Sequence, residues 1–401
     1  MAAFAKGAYD AAAYNAFRPV YPPKLFDKLW SFHRSGRNAR WTRAVDLGCG
    51  TGKTLLPYFR VIPPFDHEAG QATLKLTTQF EHAIGVDPSP KMIQQANELI
   101  SSSPFHNPPN GLYPWRRRGQ FVIDIDRGAG NRRIVFENAP AEKLAFLQDE
   151  SVDFVSAAQA VHWFDYARLW REINRVLRPG GSVAFWGYSE LRIRHFPYLT
   201  PIITYYSQGS SPRQPQPPSN LDLQPDILGN EPLTHAASSS TGTMARVEPE
   251  PDSLGAYWEQ PGRSILDGGL LSIPNPPSSA HFDLSASQVV LYSGSLRPDV
   301  FQAFTDYENR QIEGKKREIV QEDVVLEKEM TWELLERYCR TWSSLATYLE
   351  QHPDEKERRD GDILQRFLKR MKDEIVSRGE AVPESLTVEW PMTLLLYRKG
   401  D

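Results

Sequence analysis

Residues Asp46 to Gly52 read Asp-Leu-Gly-Cys-Gly-Thr-Gly, directly after the short apolar stretch Arg43-Ala44-Val45. An acid at the end of a buried strand, followed by glycines at alternate positions, lets the backbone pass flush against a ligand while one carboxylate holds it. That suits a nucleoside-type ligand. Spacing separates three readings of the loop. A phosphate-cradling GxxxxGK[ST] loop needs a glycine five positions before Gly52, where Leu47 stands, so it fails by one residue. A dinucleotide fingerprint GxGxxG starting at Gly48 needs a third glycine at position 53, which is Lys53, and an acid roughly 20 positions further on. Neither requirement is met well. What is left is GxGxG with an aspartate two residues ahead.

Other residues could join this chemistry. Ala83-Ile84-Gly85-Val86-Asp87 is an apolar run ending in an acid, with Ser89 and Pro90 placed to cap and open a helix near 90–101. Asp87 therefore falls at the C-terminal end of a strand, where open α/β sheets bind ligands. His162, just past a strand over 151–158, is placed to act as a general base or as a hydrogen-bonded wall. Arg18 and Arg263 could clamp a carboxylate bidentately or form structural ion pairs. Trp163, Tyr257 and Trp258 would wall a flat or apolar substrate, or belong to the core.

The elements that must position these residues follow in order. Strands are expected at 43–47, 83–87, 133–136, 151–158 and 182–186, with helices between them. Asp165 caps a helix with Leu169, Ile173, Val176 and Leu177 on one face, which Arg178-Pro179-Gly180-Gly181 stops. This alternation with short turns predicts a doubly wound, mainly parallel sheet. Leu334, Leu335, Tyr338, Trp342, Leu345 and Leu349 recur at helical spacing, and a second helix opens at Asp362 with Gln365 set for a capping box. Leu386 to Tyr397 alternates as strand, with Pro391 marking a bulge or a junction of two strands.

With these motifs in order, the chain resembles the class I S-adenosylmethionine-dependent methyltransferases, and Asp46 to Gly52 matches their glycine-rich motif I. The signature RVLRPGG stands at Arg175 to Gly181, where the resemblance gives it a structural role. A narrower resemblance is carried by Tyr14 to Pro22, Ala160 to Phe164, Tyr257 to Arg263 and Arg340 to Ser344. These segments are similar to the fungal trans-aconitate and cantharidin methyltransferase-like group. The resemblance implies a seven-stranded, Rossmann-like α/β sheet with a helical cap inserted after the fifth strand, and a last strand inserted antiparallel. It implies S-adenosyl-L-methionine as cofactor, held by Asp46, Gly48, Gly50, Gly52, Asp87, Ala141, Glu142 and Gln159. Asp87 would bind the ribose hydroxyls, and the Ala139 to Glu142 loop the adenine. Tyr14, Arg18, Tyr21, Trp163, Tyr257, Trp258 and Arg263 form the substrate set. No metal is expected.

The expected organisation is an N-terminal lid over 1–40, a cofactor-binding core over 41–190, a cap over 191–206 and 252–385, a disordered insertion over 207–251, and terminal strands over 386–401 that complete the core sheet. Further insertions are expected near 60–80 and 101–119. Among 401 residues, 46 basic against 50 acidic side chains exert no overall pull toward nucleic acid or membrane. Cys49 and Cys339 are too few and too distant for a disulfide framework, and no run of about 18 apolar residues occurs. A soluble cytoplasmic enzyme with a small-molecule acceptor is expected, with nucleic acid and membrane disfavoured.

The function expected is O-methylation of a carboxylate in a small molecule, a trans-aconitate-like di- or tricarboxylic acid or a related toxic acid. The alternatives left open are a hydroxyl acceptor with His162 as base, an RNA methyltransferase, and a non-catalytic cofactor-binding regulator. The acceptor and the oligomeric state stay open at this level.

Overall fold

The computed structural model describes residues 17–50, 72–101, 115–117, 120–126, 131–218, 248–311 and 316–400. Tyr14 and Gly52 lie outside the described residues, as does 219–247, the greater part of the segment expected to be disordered.

Thirteen strands are present among the described residues: β1 (Arg43–Leu47), β2 (His82–Asp87), β3 (Trp115–Arg117), β4 (Gln120–Asp126), β5 (Asn131–Asn138), β6 (Val152–Ala158), β7 (Leu177–Tyr188), β8 (Arg192–Ile193), β9 (Phe282–Tyr292), β10 (Glu318–Glu322), β11 (Glu327–Thr331), β12 (Ser385–Glu389) and β13 (Met392–Lys399). Ten of them form one sheet in the order β10-β9-β13-β7-β6-β1-β2-β5-β4-β3. The middle of that sheet, β5-β2-β1-β6-β7, is wholly parallel. Its strands are short and apolar because helices cover both faces; Ala44, Val45, Leu47, Val152, Phe154 and Val155 are all fully buried. On one face the helix Pro23–Arg34 lays down Leu25, Phe26, Leu29 and Trp30. On the other the helix Tyr166–Val176 buries Leu169, Trp170, Ile173 and Val176. A doubly wound α/β fold is the result.

The helix ends at Val176 as its sequence suggests, but β7 already begins at Leu177, so Arg178 to Gly181 enter the strand, with a register irregularity against β6, instead of forming a separate turn. Gly180 adopts φ of 73°, a left-handed conformation that returns the chain to the sheet at little cost. Arg178 reaches Asp153 with Nε and the Asn38 carbonyl with Nη2, while Asp153 also accepts from the Thr42 and Arg43 amides. One buried ion pair thus ties the starts of β1, β6 and β7 together.

Several expectations need correction. The sheet has ten strands rather than seven. β3 and β4 add an antiparallel edge, so Trp115 to Arg117 is strand rather than loop. β13 enters antiparallel beside β7 as expected, but β9 pairs with its other side and β10 pairs with β9. The region 252–385 is therefore not all cap: residues 282–322 return to the core, because Val289, Val290, Leu291 and Tyr292 need burial between layers. Of the terminal segment, only β13 joins the core sheet; β12 pairs with β11 and β8 in a separate three-stranded sheet. Pro391 lies between β12 and β13, at the junction.

The single helix suggested by Leu334 to Leu349 is two, Trp332–Arg340 and Ser343–Gln351. Trp342 breaks them with extended backbone at ψ of 129°. The capping box of Asp362 and Gln365 is present on the helix Ile363–Ser377. The insertion expected to begin at 207 starts later than that: Ser207 and Gln208 end the helix Thr200–Gln208 and are buried, because both donate to the buried Glu190. Within the loop expected near 60–80, the described part holds a short helix, Ala72–Leu76.

Candidate functional site

β1 and β2 run parallel with Asp46 beside Gly85, so their C-terminal ends open at the same edge of the sheet. There the loop after β1 turns through left-handed glycines, Gly48 at φ of 68° and Gly50 at φ of 60°. A Cβ on Gly48 would sit 2.5 Å from the Ala160 methyl carbon, whereas one on Gly50 would meet nothing within 4 Å among the described residues. The loop is thus pressed against Ala160 and Phe164 at Gly48, and Gly50 is uncovered by the described residues. The Cys49 amide donates to the Val86 carbonyl at 3.0 Å, and the Gly50 amide to Asp87 at 3.0 Å. Asp87 also accepts from the Ser89 amide at 2.9 Å, through its other oxygen. Each carboxylate oxygen keeps acceptor capacity beyond its one amide, so two neighbouring hydroxyls could still bind. Burial holds this carboxyl above its ordinary range.

Asp46 does different work. It is 2% exposed and accepts from Thr73 Oγ1 at 2.5 Å and Ser156 Oγ at 2.8 Å. Burial pushes its pKa up to about 6 against those two bonds. The carboxylate therefore fixes the base of the glycine loop from inside, and Thr73 was hidden from sequence reading in a segment taken for an added loop. Ala141 is buried, and Glu142 accepts from the Asp165 amide at 2.9 Å, bracing the helix that follows. Gln159, at φ of 51°, spends its side-chain amide on both backbone groups of Tyr188. Its expected cofactor role is therefore corrected for the side chain: Gln159 locks the end of β7 to the end of β6.

A cavity opens beside this edge. It is lined by Arg18, Gln159, His162, Trp163, Trp258, Glu259, Arg263 and Leu266, together with Tyr188, Ser189, Glu190 and Leu191 after β7, and Tyr338, Thr341, Trp342 and Ser343 from the cap. Five of the expected substrate and catalytic residues thus meet at one place: Arg18, His162, Trp163, Trp258 and Arg263. Two do not line it. Tyr21 packs edge-on against Trp186 at 5.7 Å, and the Tyr257 hydroxyl pairs with His352 Nε2 at 2.9 Å. The cap and β7 residues were missed individually, although Arg340 to Ser344 had stood out as a motif; its role is the helix break that turns Thr341, Trp342 and Ser343 to the cavity.

The two arginines differ in what they have left to give. Arg18 donates to the Tyr188 hydroxyl at 3.3 Å and the Thr341 carbonyl at 3.2 Å, and lies over the Tyr338 ring. Arg263 lies 4.1 Å over the Trp258 ring and donates from Nε to Asp267 at 2.8 Å, but its buried Nη2 has no hydrogen-bond partner among the described residues. Asp267 is shared with Arg213, so this trio keeps one net positive charge. His162 is 5% exposed, tilted at 49° against Trp163 with 4.8 Å between ring centroids, and its Nδ1 is likewise without a partner among the described residues. Burial, with the Arg263 charge, lowers its pKa to about 3. The ring is neutral and a weak base, which suits the wall role expected for it better than the general-base role.

Among the described residues no cluster of His, Cys, Asp or Glu could hold a metal ion, and no helix is long and apolar enough to cross a membrane.

Comparison with known proteins agrees with this geometry. Residues 68–185 match the family described as a methyltransferase domain. A protein of Saccharomyces cerevisiae named "Probable S-adenosylmethionine-dependent methyltransferase" is 30% identical over 203 residues, 51% of this chain and 53% of that one. A "Putative methyltransferase" of Dictyostelium discoideum is 26% identical over 45% of this chain and 48% of its own length. The chain thus spans about half the length of these curated relatives. A solved structure, that of a "Putative Type II Methyltransferase" from Anaeromyxobacter dehalogenans, superposes with a TM-score of 0.50 at 20% identity, covering 96% of this chain and 99% of that one.

Proposed function

We propose that this chain, which carries the fold and the domain of a class I S-adenosylmethionine-dependent methyltransferase, methylates a carboxylate oxygen of a small molecule seated against Arg263. When bound, S-adenosylmethionine supplies a methyl group on a sulfonium: the new O–C bond forms as the S–C bond breaks, its electron pair stays on sulfur, and no proton moves. The residues at the β1–β2 edge fit that cofactor, with Gly50 uncovered by the described residues and Asp87 retaining acceptor sites for a ribose.

The observation that carries the acceptor reading is the unpartnered Nη2 of Arg263 in the cavity wall. A buried guanidinium N–H without a partner is costly, and a carboxylate supplies the matching charge and geometry. The low pKa of His162 supports the same acceptor, since a carboxylate is already ionised at neutral pH and needs no base. A hydroxyl acceptor would need a base that His162 is too acidic to be. In this reading Arg263 orients the acceptor, His162 and Trp163 wall it, and the cap residues Tyr338 and Trp342 exclude water. A cytoplasmic setting belongs to the same proposal, in keeping with the free thiols of Cys49 and Cys339.

The test is to mix purified protein, isotopically labelled cofactor and a metabolite extract, and to search by mass spectrometry for products that gain one methyl. Methyl esters that mild alkali cleaves are expected. Products whose new methyl resists alkali, as ethers and N-methyl groups do, would remove the carboxylate.

A further inference from the structure

We propose that the acceptor is a flat, apolar monocarboxylic acid, in which the only ionised group is the carboxylate that takes the methyl. This rests on the carboxylate reading above and adds what the remaining walls of the cavity select. Charge is the first selector. Of the two arginines in the wall, Arg18 has both terminal nitrogens engaged, with Tyr188 and Thr341, whereas the buried Nη2 of Arg263 has no hydrogen-bond partner among the described residues. Two carboxylates face the same space, Glu190 and Glu259. Glu190 is 4% exposed and accepts from Arg192 at 2.6 Å, Thr204 at 2.7 Å, Gln208 at 3.2 Å and Ser207. Its carboxylate is paired with Arg192 and has its donors already in place, so it offers an incoming anion no partner. A second or third carboxylate on the acceptor would enter a wall that already carries two, and leave water without a comparable partner.

Shape is the second selector. Five rings stand among the lining residues: Trp163, Tyr188, Trp258, Tyr338 and Trp342. These rings are held in place. Trp258 donates its indole N–H to the Ser207 carbonyl at 2.7 Å, lies 5.5 Å from Trp342 between centroids, and carries the Arg263 guanidinium on its face. Tyr338 meets Trp342 edge-on at 88°. Trp163 is 37% exposed, and a Cβ on Gly262 would approach its ring to 2.6 Å, so the six-membered part of the indole packs directly on that glycine at the rim of the cavity. A planar ring sliding between Trp163 and the Trp258–Trp342 pair would bring its carboxylate to Arg263. Small, heavily hydrated polyacids have no surface to offer those rings.

Three probes separate the possibilities: 2-naphthoate, propane-1,2,3-tricarboxylate and 2-naphthol. Each is titrated calorimetrically into the full chain in the presence of S-adenosylhomocysteine, and each is then offered as acceptor with labelled cofactor. Naphthoate is expected to bind about tenfold or more tighter than either of the others and to yield its methyl ester, and Trp163→Ala is expected to weaken it about fivefold, in line with the loss of one aromatic contact. Tighter binding of the tricarboxylate, or naphthoate affinity unchanged in Trp163→Ala, overturns this inference while leaving a carboxylate acceptor standing. Naphthol bound and methylated in preference to naphthoate overturns the carboxylate reading and this inference with it.

Discussion

The cofactor edge and the acceptor cavity lie side by side but are made of different material. The edge is backbone: the Gly50 and Ser89 amides organised by one carboxylate and the Cys49 amide by the Val86 carbonyl, on strands and a loop close in the chain. The cavity is side chain, gathered from residues 18, 159–163, 188–191, 258–266 and 338–343. A backbone site tolerates almost no change at its glycines and needs few particular side chains. A side-chain site can be rebuilt for another acceptor while its neighbour is untouched, which is how one fold serves many acceptors.

The sharpest way to break that contrast is at the edge. Gly48→Val must hold a branched residue at φ of 68°, against Ala160. Asp87→Ala removes the acceptor of the Gly50 and Ser89 amides. Either change should weaken S-adenosylmethionine binding by about 100-fold or more in calorimetry. Acceptor binding by the cavity, measured on the Asp87→Ala protein, should change by less than about threefold. Equal losses at both sites would show that edge and cavity are one structural unit.

Within the cavity, the two arginines offer a finer test. Arg263→Lys keeps the charge but gives up the planar fork, so kcat/KM for an acidic acceptor should fall about 30-fold, mostly through KM. A neutral acceptor should be affected far less. Arg18→Lys loses the ties to Tyr188 and Thr341 and should show itself chiefly as a lowered melting temperature, with similar modest losses for every acceptor. Acid-selective loss in the Arg18 variant would reverse the assignment and make it the clamp.

The same contrast explains what the sequence could reveal. Glycine spacing, an acid at a strand end and a helix-stopping Pro-Gly-Gly are local signals, and β1, β2, β6 and β7 with their turn were legible from them. β9 and β10 were not, because Phe282 to Tyr292 joins the sheet only through β13, more than 100 residues later. Arg263 could be named as a clamp from its motif. That its Nη2 is left over, while both terminal nitrogens of Arg18 are taken, depends on Asp267 holding its Nε and on Tyr188 and Thr341 lying beside Arg18, and neither pairing has a local signature. His162 was legible as a position. Its charge state was not, since burial and the neighbouring Arg263 set it.

The smallest effect separates the two regions by the sign of their response to acid. Burial lowers His162 to about 3, and lowers His33, hydrogen-bonded between Ser182 and the Arg40 carbonyl, to about 4. Below their ordinary value of 6.5 the unfolded chain takes up protons that the folded chain refuses. Their contribution to stability is therefore full above that pH and drains away as pH falls, by about 1.4 kcal/mol per pH unit for each group. Asp46 does the opposite. Raised from 3.8 to about 6, it binds its proton more readily in the folded state, so its contribution is full below its ordinary value and is lost as pH rises through 6. Between about pH 4 and 6 the edge gains stability from acid while the cavity loses it. His162→Gln should flatten the acid limb of a urea-unfolding series across that window, and Asp46→Asn should steepen it. At neutral pH His162→Gln should keep kcat within about threefold, because a carboxylate acceptor asks for no base. A rate loss of 100-fold, with the acid limb unchanged, would restore His162 as the base and make the acceptor a hydroxyl.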